Sequence, residues 1–255
     1  MRERQGARPS VDRESPDVLL FVRVSGERAT VHLDYSGGSL HARGFRAEEG
    51  AAPLRETLAA ALVRFSGWRG DAPLVDPLCG SGMLLIEAGL WAARRAPGLS
   101  QARFGFERWR SFDARAKAQI EALRAEARAG ERPPPPLFGS DADARALEQC
   151  RANAAQARLA VSLRQAPLAR VDAGMKPGAL LANPPYGERL ARPESLTREL
   201  DALLERFAAC PRALIVSRGF PSRATPSRRE RVFNGPIECE LRRYDAAAPR
   251  LAFRR

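Results

Sequence analysis

Asn183-Pro184-Pro185-Tyr186 closes the apolar run Ala179–Ala182, and its composition suits one kind of chemistry. Proline has no backbone N–H and holds φ near one value, so the turn presents acceptors: the Asn183 side-chain oxygen and the Pro184 carbonyl. Two acceptors so placed can grip both hydrogens of an exocyclic NH2 group. An aromatic amine is a poor nucleophile, because its lone pair is delocalised into the ring. Acceptors on its hydrogens would draw the nitrogen toward sp3 geometry and aim the lone pair at an incoming methyl group. Tyr186 offers a flat face for an unstacked base, worth about 1–3 kcal/mol. The remaining requirement is positioning, with a sulfonium carbon held in line at near-attack distance. Such a reaction requires no metal, covalent nucleophile or strong general base.

Upstream lies a glycine turn, Asp76-Pro77-Leu78-Cys79-Gly80-Ser81-Gly82. Gly80 and Gly82 let backbone approach a ligand closely, and the N-terminus of the helix that follows favours a carboxylate. Asp76 could take an ammonium. The next acid is Asp141, in Gly139-Ser140-Asp141 at the end of a second strand, where a carboxylate can accept from both ribose hydroxyls. Asp143 could make that contact instead, but it stands where a helix N-cap belongs. A glycine turn and a second-strand acid without the G-x-G-x-x-G fingerprint fit S-adenosylmethionine (SAM) better than a dinucleotide.

The elements that must position these residues alternate. Val18–Val24 and Arg28–Asp34 read as a β-hairpin around Ser25-Gly26-Glu27, followed by a polar stretch, Tyr35 to Gly50. A helix is expected over Pro53–Phe65, with Leu54, Leu58, Ala61, Leu62 and Phe65 on one face. Strands follow at Leu74-Val75, Leu137-Phe138, Val161–Gln165, Ala179–Ala182 and Ala213–Ser217. Helices lie between them at Met83–Arg95, Ser111–Ala129, Asp143–Arg158 and Glu194–Ala209. Val232-Phe233 and Ile237–Arg242 read as an antiparallel pair. The expected fold class is α/β: a Rossmann-like, doubly wound, mostly parallel sheet with an antiparallel C-terminal edge, preceded by a small β-hairpin.

The 255 residues carry 42 basic and 30 acidic side chains, a net charge of +12, and all but two of the basic ones, Lys117 and Lys176, are arginine. From Arg212 to Arg255 there are 11 arginines against four acids, which is +7 of that total. A polyanionic partner follows, although an arginine-rich coding bias explains the Arg/Lys ratio as well. Cys79, Cys150, Cys210 and Cys239 are scattered and only His32 and His41 accompany them, which argues against a metal site and a disulfide framework. No apolar run approaches ~18 residues and the N-terminus is charged, so no membrane span and a cytoplasmic location are expected.

On these residues the chain resembles the THUMP-associated class I SAM-dependent RNA methyltransferases, and most of all the RlmL-type 23S rRNA guanine-N2 enzymes. The resemblance is carried by Arg8–Asp12, Ser36–Arg46, Ala51–Ala59, Asp76–Ala88, Asn183–Leu190 and Gly235–Cys239. Asn-Pro-Pro-Tyr is shared with DNA adenine and protein glutamine methyltransferases. Gly187-Glu188-Arg189-Leu190 and Arg43-Gly44-Phe45-Arg46 narrow the match. The resemblance implies that residues 1–50 are the end of a THUMP-like region with its linker, and that 51–255 form the catalytic domain. It implies SAM as cofactor, held by Pro53, Asp76, Cys79, Gly80, Gly82, Asp141 and Asn183. Asn183, Pro184 and Tyr186 would be catalytic, and Arg43, Pro185, Tyr186 and Arg189 would contact the substrate, an rRNA of the large subunit precursor. Where the family has an acid for the adenine amino group, this chain has Pro167, with Asp172 five residues on. Residues 1–34 are too few for a whole THUMP fold, so a longer parent chain or the arginines themselves would dock the RNA. Amino-methylation of adenine N6 in DNA or RNA, or a SAM- or RNA-binding module with little turnover, are the alternatives.

Overall fold

The computed structural model describes residues 10–14, 16–41, 43–46, 54–171, 177–185 and 193–247. Contacts divide them into two compact units. The first joins the residues up to His41 with Gly98–Ala129, and the second joins Arg43–Pro97 with the chain from Gly130 onward. The segment Gly98–Ala129 therefore groups with the N-terminal residues.

In the first unit, β1 (Leu19–Ser25) and β2 (Arg28–Asp34) pair antiparallel, with Leu19 opposite Asp34 and Ser25 opposite Arg28. Asp34 caps the exit of the hairpin by accepting from the Ser36 N–H (2.7 Å) and hydroxyl (2.6 Å). The inserted segment supplies two 3-10 turns and a helix (Ala114–Ala129) that buries none of its residues. Tyr35, Phe106 and Trp109 form an aromatic cluster there, and the Trp109 indole N–H donates to the Asp17 carbonyl (2.8 Å).

The second unit is a seven-stranded sheet. Its strands are β3 (Leu74–Asp76), β4 (Leu137–Asp141), β5 (Ser162–Gln165), β6 (Ala179–Ala182), β7 (Arg212–Ser217), β8 (Arg228–Asn234) and β9 (Ile237–Tyr244). They lie in the order β5-β4-β3-β6-β7-β9-β8. The first five are parallel, and β9 pairs antiparallel with both β7 and β8. The order reverses direction at β3, which starts the chain's path outward both ways, and in an open parallel sheet that switch point is where ligands bind. The fold class read from the sequence is the one observed. The strands β4, β8 and β9 run longer than expected, because ladder pairing carries extended backbone past the residues with strong β preference.

Strand composition follows from burial. Parallel strands covered on both faces have no polar side, and Ala179–Ala182 is buried throughout. Alternate residues serve two cores: Leu74, Ala179, Leu181, Ala213 and Ile215 face one, and Val75, Leu180, Ala182, Leu214 and Val216 the other. On the first face lie helices α1 (Glu56–Phe65), α2 (Met83–Ala92) and α4 (Ala144–Gln156); the helix Ala114–Ala129 is α3. On the second lies α5 (Pro193–Arg206), through Leu200, Leu203 and Leu204. α2 follows the glycine turn and is buried almost all round, which explains its apolar composition.

The segment before α1 is clamped by two ion pairs. Arg46 binds Glu56 (3.1 Å), Arg43 binds Glu87 of α2, and Phe45 between them is buried. Burial pushes the Glu87 carboxyl up to about 7 even though the Arg43 guanidinium pulls the other way. Among the described residues no helix is long and apolar enough to cross a membrane, and no three His, Cys, Asp or Glu side chains are grouped to hold a metal ion.

Candidate active site

Three strand ends converge on one cavity of about 600 Å3, within the range typical of small-molecule sites. The β3 end contributes Asp76, Leu78, Cys79, Gly80 and Ser81, the β4 end Asp141 and Asp143, and the β6 end Asn183, Pro184 and Pro185.

The β3 turn is held by its own hydrogen bonds. Asp76, 1% exposed, accepts from the Leu78 N–H (3.1 Å), and the Gly82 N–H donates to the Cys79 carbonyl (2.8 Å). Gly80 and Gly82 have φ of 51° and 87°, a region that L side chains avoid. They differ in surroundings: a methyl at Gly80 would meet open space, whereas at Gly82 it would run into the Cys150 sulfur of α4. α4 also reaches the turn through buried Asn153, whose amide donates to the Ser81 carbonyl (3.0 Å). Cys79 lines the cavity with its thiol driven well up from the ordinary value, first by a hydrogen bond with the Cys150 side chain and then by burial. A thiol so held stays protonated and is no nucleophile.

Asp141 ties the second strand to the first. One carboxylate oxygen accepts from the Gly80 N–H (2.9 Å) and the other from the Asp143 N–H (3.0 Å). The Gly80 N–H is therefore already used within the turn. Each oxygen keeps a further lone pair, so two hydroxyls can still be accepted. Asp143 is the N-cap of α4, accepting from the Arg145 N–H (2.9 Å), and it lines the cavity as well.

Electrostatically the cavity calls for a cation. Burial pushes the Asp76 carboxyl up to about 8; the Leu78 N–H offsets part of this, and the nearby charge of Asp141 adds to it. A positive group beside these carboxylates would relieve both costs. At the β6 end the need is opposite in kind. Asn183 Oδ1 is buried and has no hydrogen-bond partner among the described residues. Such orphaned acceptors are rare in native proteins and mark a place where a donor is missing.

Other expected site residues fall elsewhere. The Arg43 guanidinium forms an ion pair with Glu87, and Arg43 is not among the residues lining this cavity. Pro167 is exposed, caps the 3-10 turn Leu168–Arg170 and also lies away from the lining. Pro53, Asp172, Tyr186 and Arg189 lie outside the described residues. The sequence reading missed the apolar lining: Leu78, Met83, Leu84, Ala146 and, from the start of β9, Ile237. Only the Gly235–Cys239 match pointed toward Ile237, since β9 reaches the site by sheet order and not by proximity in sequence.

The sheet order, the antiparallel β8–β9 edge and a cavity at the ends of β3, β4 and β6 define a class I methyltransferase fold. Residues 43–237 match the family described as RMKL-like, methyltransferase domain, and the chain belongs to that family. It is similar to SMU.472, solved in complex with SAH, with 28% identity and a TM-score of 0.78 over 92% of this chain and 63% of that one. A predicted N6-adenine-specific DNA methylase from Listeria monocytogenes is 32% identical, with a TM-score of 0.76 over 89% of this chain and 60% of that one. A possible methylase from Clostridium difficile 630 is 27% identical, with a TM-score of 0.81 over 97% and 67%. The chain thus spans 60–67% of the length of these relatives.

Proposed function

We propose that this chain transfers a methyl group from SAM to the exocyclic N2 amino group of a guanine in 23S rRNA of the large ribosomal subunit. The observation that carries the reading is the pairing, in one cavity, of a cation-seeking carboxyl at Asp76 with a buried acceptor at Asn183 that has no partner among the described residues. The residues present fit SAM. Asp76 suits its ammonium, Asp141 has acceptor capacity for the ribose hydroxyls, and the Cys79–Gly82 turn leaves open space beside Gly80. The SAH bound by SMU.472 is the demethylated form of the same molecule.

When bound, SAM supplies an activated methyl group on a sulfonium. The chain's own residues supply position. Asn183 Oδ1 accepts one hydrogen of the target NH2 and thereby completes its own hydrogen bonding. Pro184 follows it with a carbonyl for the second hydrogen, and Pro185 keeps the turn from competing, since neither proline has an N–H. Gripped so, the amine nitrogen would have its lone pair free to take the methyl group, the electron pair of the broken S–CH3 bond would stay on sulfur, and the surplus proton on nitrogen would pass to solvent. Tyr186 belongs to this proposal as the face that stacks the base outside its helix, and Arg189 as a contact to its strand. Residues 1–50 belong to it as the end of a THUMP-like region. The β1–β2 hairpin, with Leu20, Phe21, Val22 and Val24 exposed, supports that role.

The test is transfer of labelled methyl to protein-free 23S rRNA, followed by mass spectrometry of the nucleosides. N2-methylguanosine is expected. N6-methyladenosine would replace this reading with a second one, adenine amino-methylation, which the 32% identity to the Listeria protein favours.

A further inference from the structure

The β8 edge of the sheet carries a stripe that the catalytic site does not use. Side chains alternate along a strand, so Arg229, Arg231 and Phe233 share one face while Arg228 and Val232 share the other. The second face is spoken for: Arg228 lies over Phe65 of α1 (5.3 Å) and binds Glu230 (2.7 Å), and Val232 packs on the core. The first face is open. Phe233 is 55% exposed, the Arg231 guanidinium sits 5.3 Å from its ring centre, and Arg229 is exposed with no ion pair among the described residues.

Glu238, paired across from Phe233, binds both Arg231 (2.7 Å) and Arg218 (3.2 Å). It orients two arginines and neutralises one, and the nearby Glu240 is taken by Arg242 (2.9 Å). The stripe keeps a surplus of positive charge. Arginines on an edge strand guard against pairing with another chain, but an exposed phenylalanine works against such a guard. Edge protection therefore explains the arginines and leaves Phe233 unexplained.

Direction supplies the rest. β8 runs parallel to β7, so its Phe233 end lies at the carboxyl end of the sheet, where the cavity is, and Ile237 just past the β8–β9 turn lines that cavity. From Phe233 the two arginines lead away along roughly 13 Å of strand. Phe233 stands at that same end on the opposite face of the sheet from Ile237, since Ile237 pairs with Asn234 and Phe233 with Glu238. An aromatic face with cations trailing behind is how proteins hold a single strand, one base stacked and its phosphates paired.

We infer that Phe233, Arg231 and Arg229 form a platform for the single-stranded RNA flanking the target nucleotide, with Phe233 stacking one base and the arginines meeting phosphates. The choice of RNA rests on the function proposed above. Anisotropy with a fluorescein-labelled 12-nucleotide RNA of mixed sequence tests the platform without requiring turnover. Phe233→Ala and Arg231→Ala should each weaken binding at least about fivefold, the lower end for one stacked base. Phe233→Tyr, which keeps the ring, should bind as the parent does. Arg229→Ala should lower the slope of log affinity against log salt by about 0.7, one single-strand phosphate contact. In transfer assays the KM for rRNA should rise with kcat and SAM affinity spared.

Unchanged RNA binding by Phe233→Ala and Arg231→Ala would overturn the platform, as would tighter binding of the matching DNA oligonucleotide. Stripe-dependent RNA binding by a parent protein that methylates no rRNA would support the platform and sink the proposed activity instead.

Discussion

At the ends of β3 and β4, the carboxyl groups of Asp76 and Asp141 accept backbone N–H groups, and Gly82 is packed against Cys150. At the end of β6, one strand away, the buried oxygen of Asn183 accepts nothing from the described residues. The first turn is finished by the protein itself, so its shape exists before any ligand arrives. The second keeps an acceptor that none of the described residues completes. If the first turn holds the cofactor and the second the substrate, as proposed above, that contrast suits a reaction whose catalysis is positioning. The donor must be held the same way each time, while the acceptor turn should gain its hydrogen bonds only from the group that reacts.

The contrast can be broken most sharply at Asn183. Asn183→Ala should lower the methyl transfer rate by about 10²- to 10³-fold, the usual loss for one preorganised hydrogen-bonding partner, with SAM affinity in calorimetry nearly unchanged. A large loss of SAM affinity would place Asn183 on the cofactor side and erase the distinction.

Next in size is the finished turn. Gly82→Ala combines a positive φ with a collision at Cys150 and should cost about 2–4 kcal/mol in chemical denaturation. Gly80→Ala meets only the φ term and should cost about 1–2 kcal/mol. Equal losses would show that packing against α4 does not hold the turn.

Asp141→Ala removes both the Gly80 anchor and the expected ribose acceptor. SAM affinity should fall about tenfold or more, while kcat at saturating SAM stays within a few-fold. A fall in kcat matching that of Asn183→Ala would mean that the two turns act as one.

The smallest effect is a proton. The Asp76 carboxyl is raised from 3.8 to about 8 by burial, so in the free protein it is largely protonated at pH 7. This group stabilises the fold fully below pH 4, and its contribution is lost as pH rises through 8. An ammonium beside Asp76 would favour ionisation, so SAM binding at pH 7 should release close to one proton. Calorimetry in buffers of different ionisation enthalpy measures this, and Asp76→Asn should abolish it. No proton release in the parent would remove Asp76 from the ammonium site.

Much of this was legible beforehand because its causes are local. Asp143 as an N-cap, the αL glycines of the turn and the buried run at β6 each follow from stereochemistry acting over a few residues. The Arg43–Glu87 ion pair was not legible, for the complementary reason. Only the fold brings Glu87, 44 residues on, beside Arg43. The grouping of Gly98–Ala129 with the N-terminal residues was likewise beyond any local pattern.

By itself, then, the sequence determined the order of strands and helices, the two turns and the chemistry their residue types allow. Backbone preference and side-chain donor inventory are properties of short segments. Tertiary structure alone decided that the Gly80 N–H is consumed by Asp141, that Asn183 finds no donor among the described residues, and that Ile237 joins the cavity from the far edge of the chain. Whether a polar group is satisfied depends on which distant segments the sheet order brings beside it, and no local pattern encodes that.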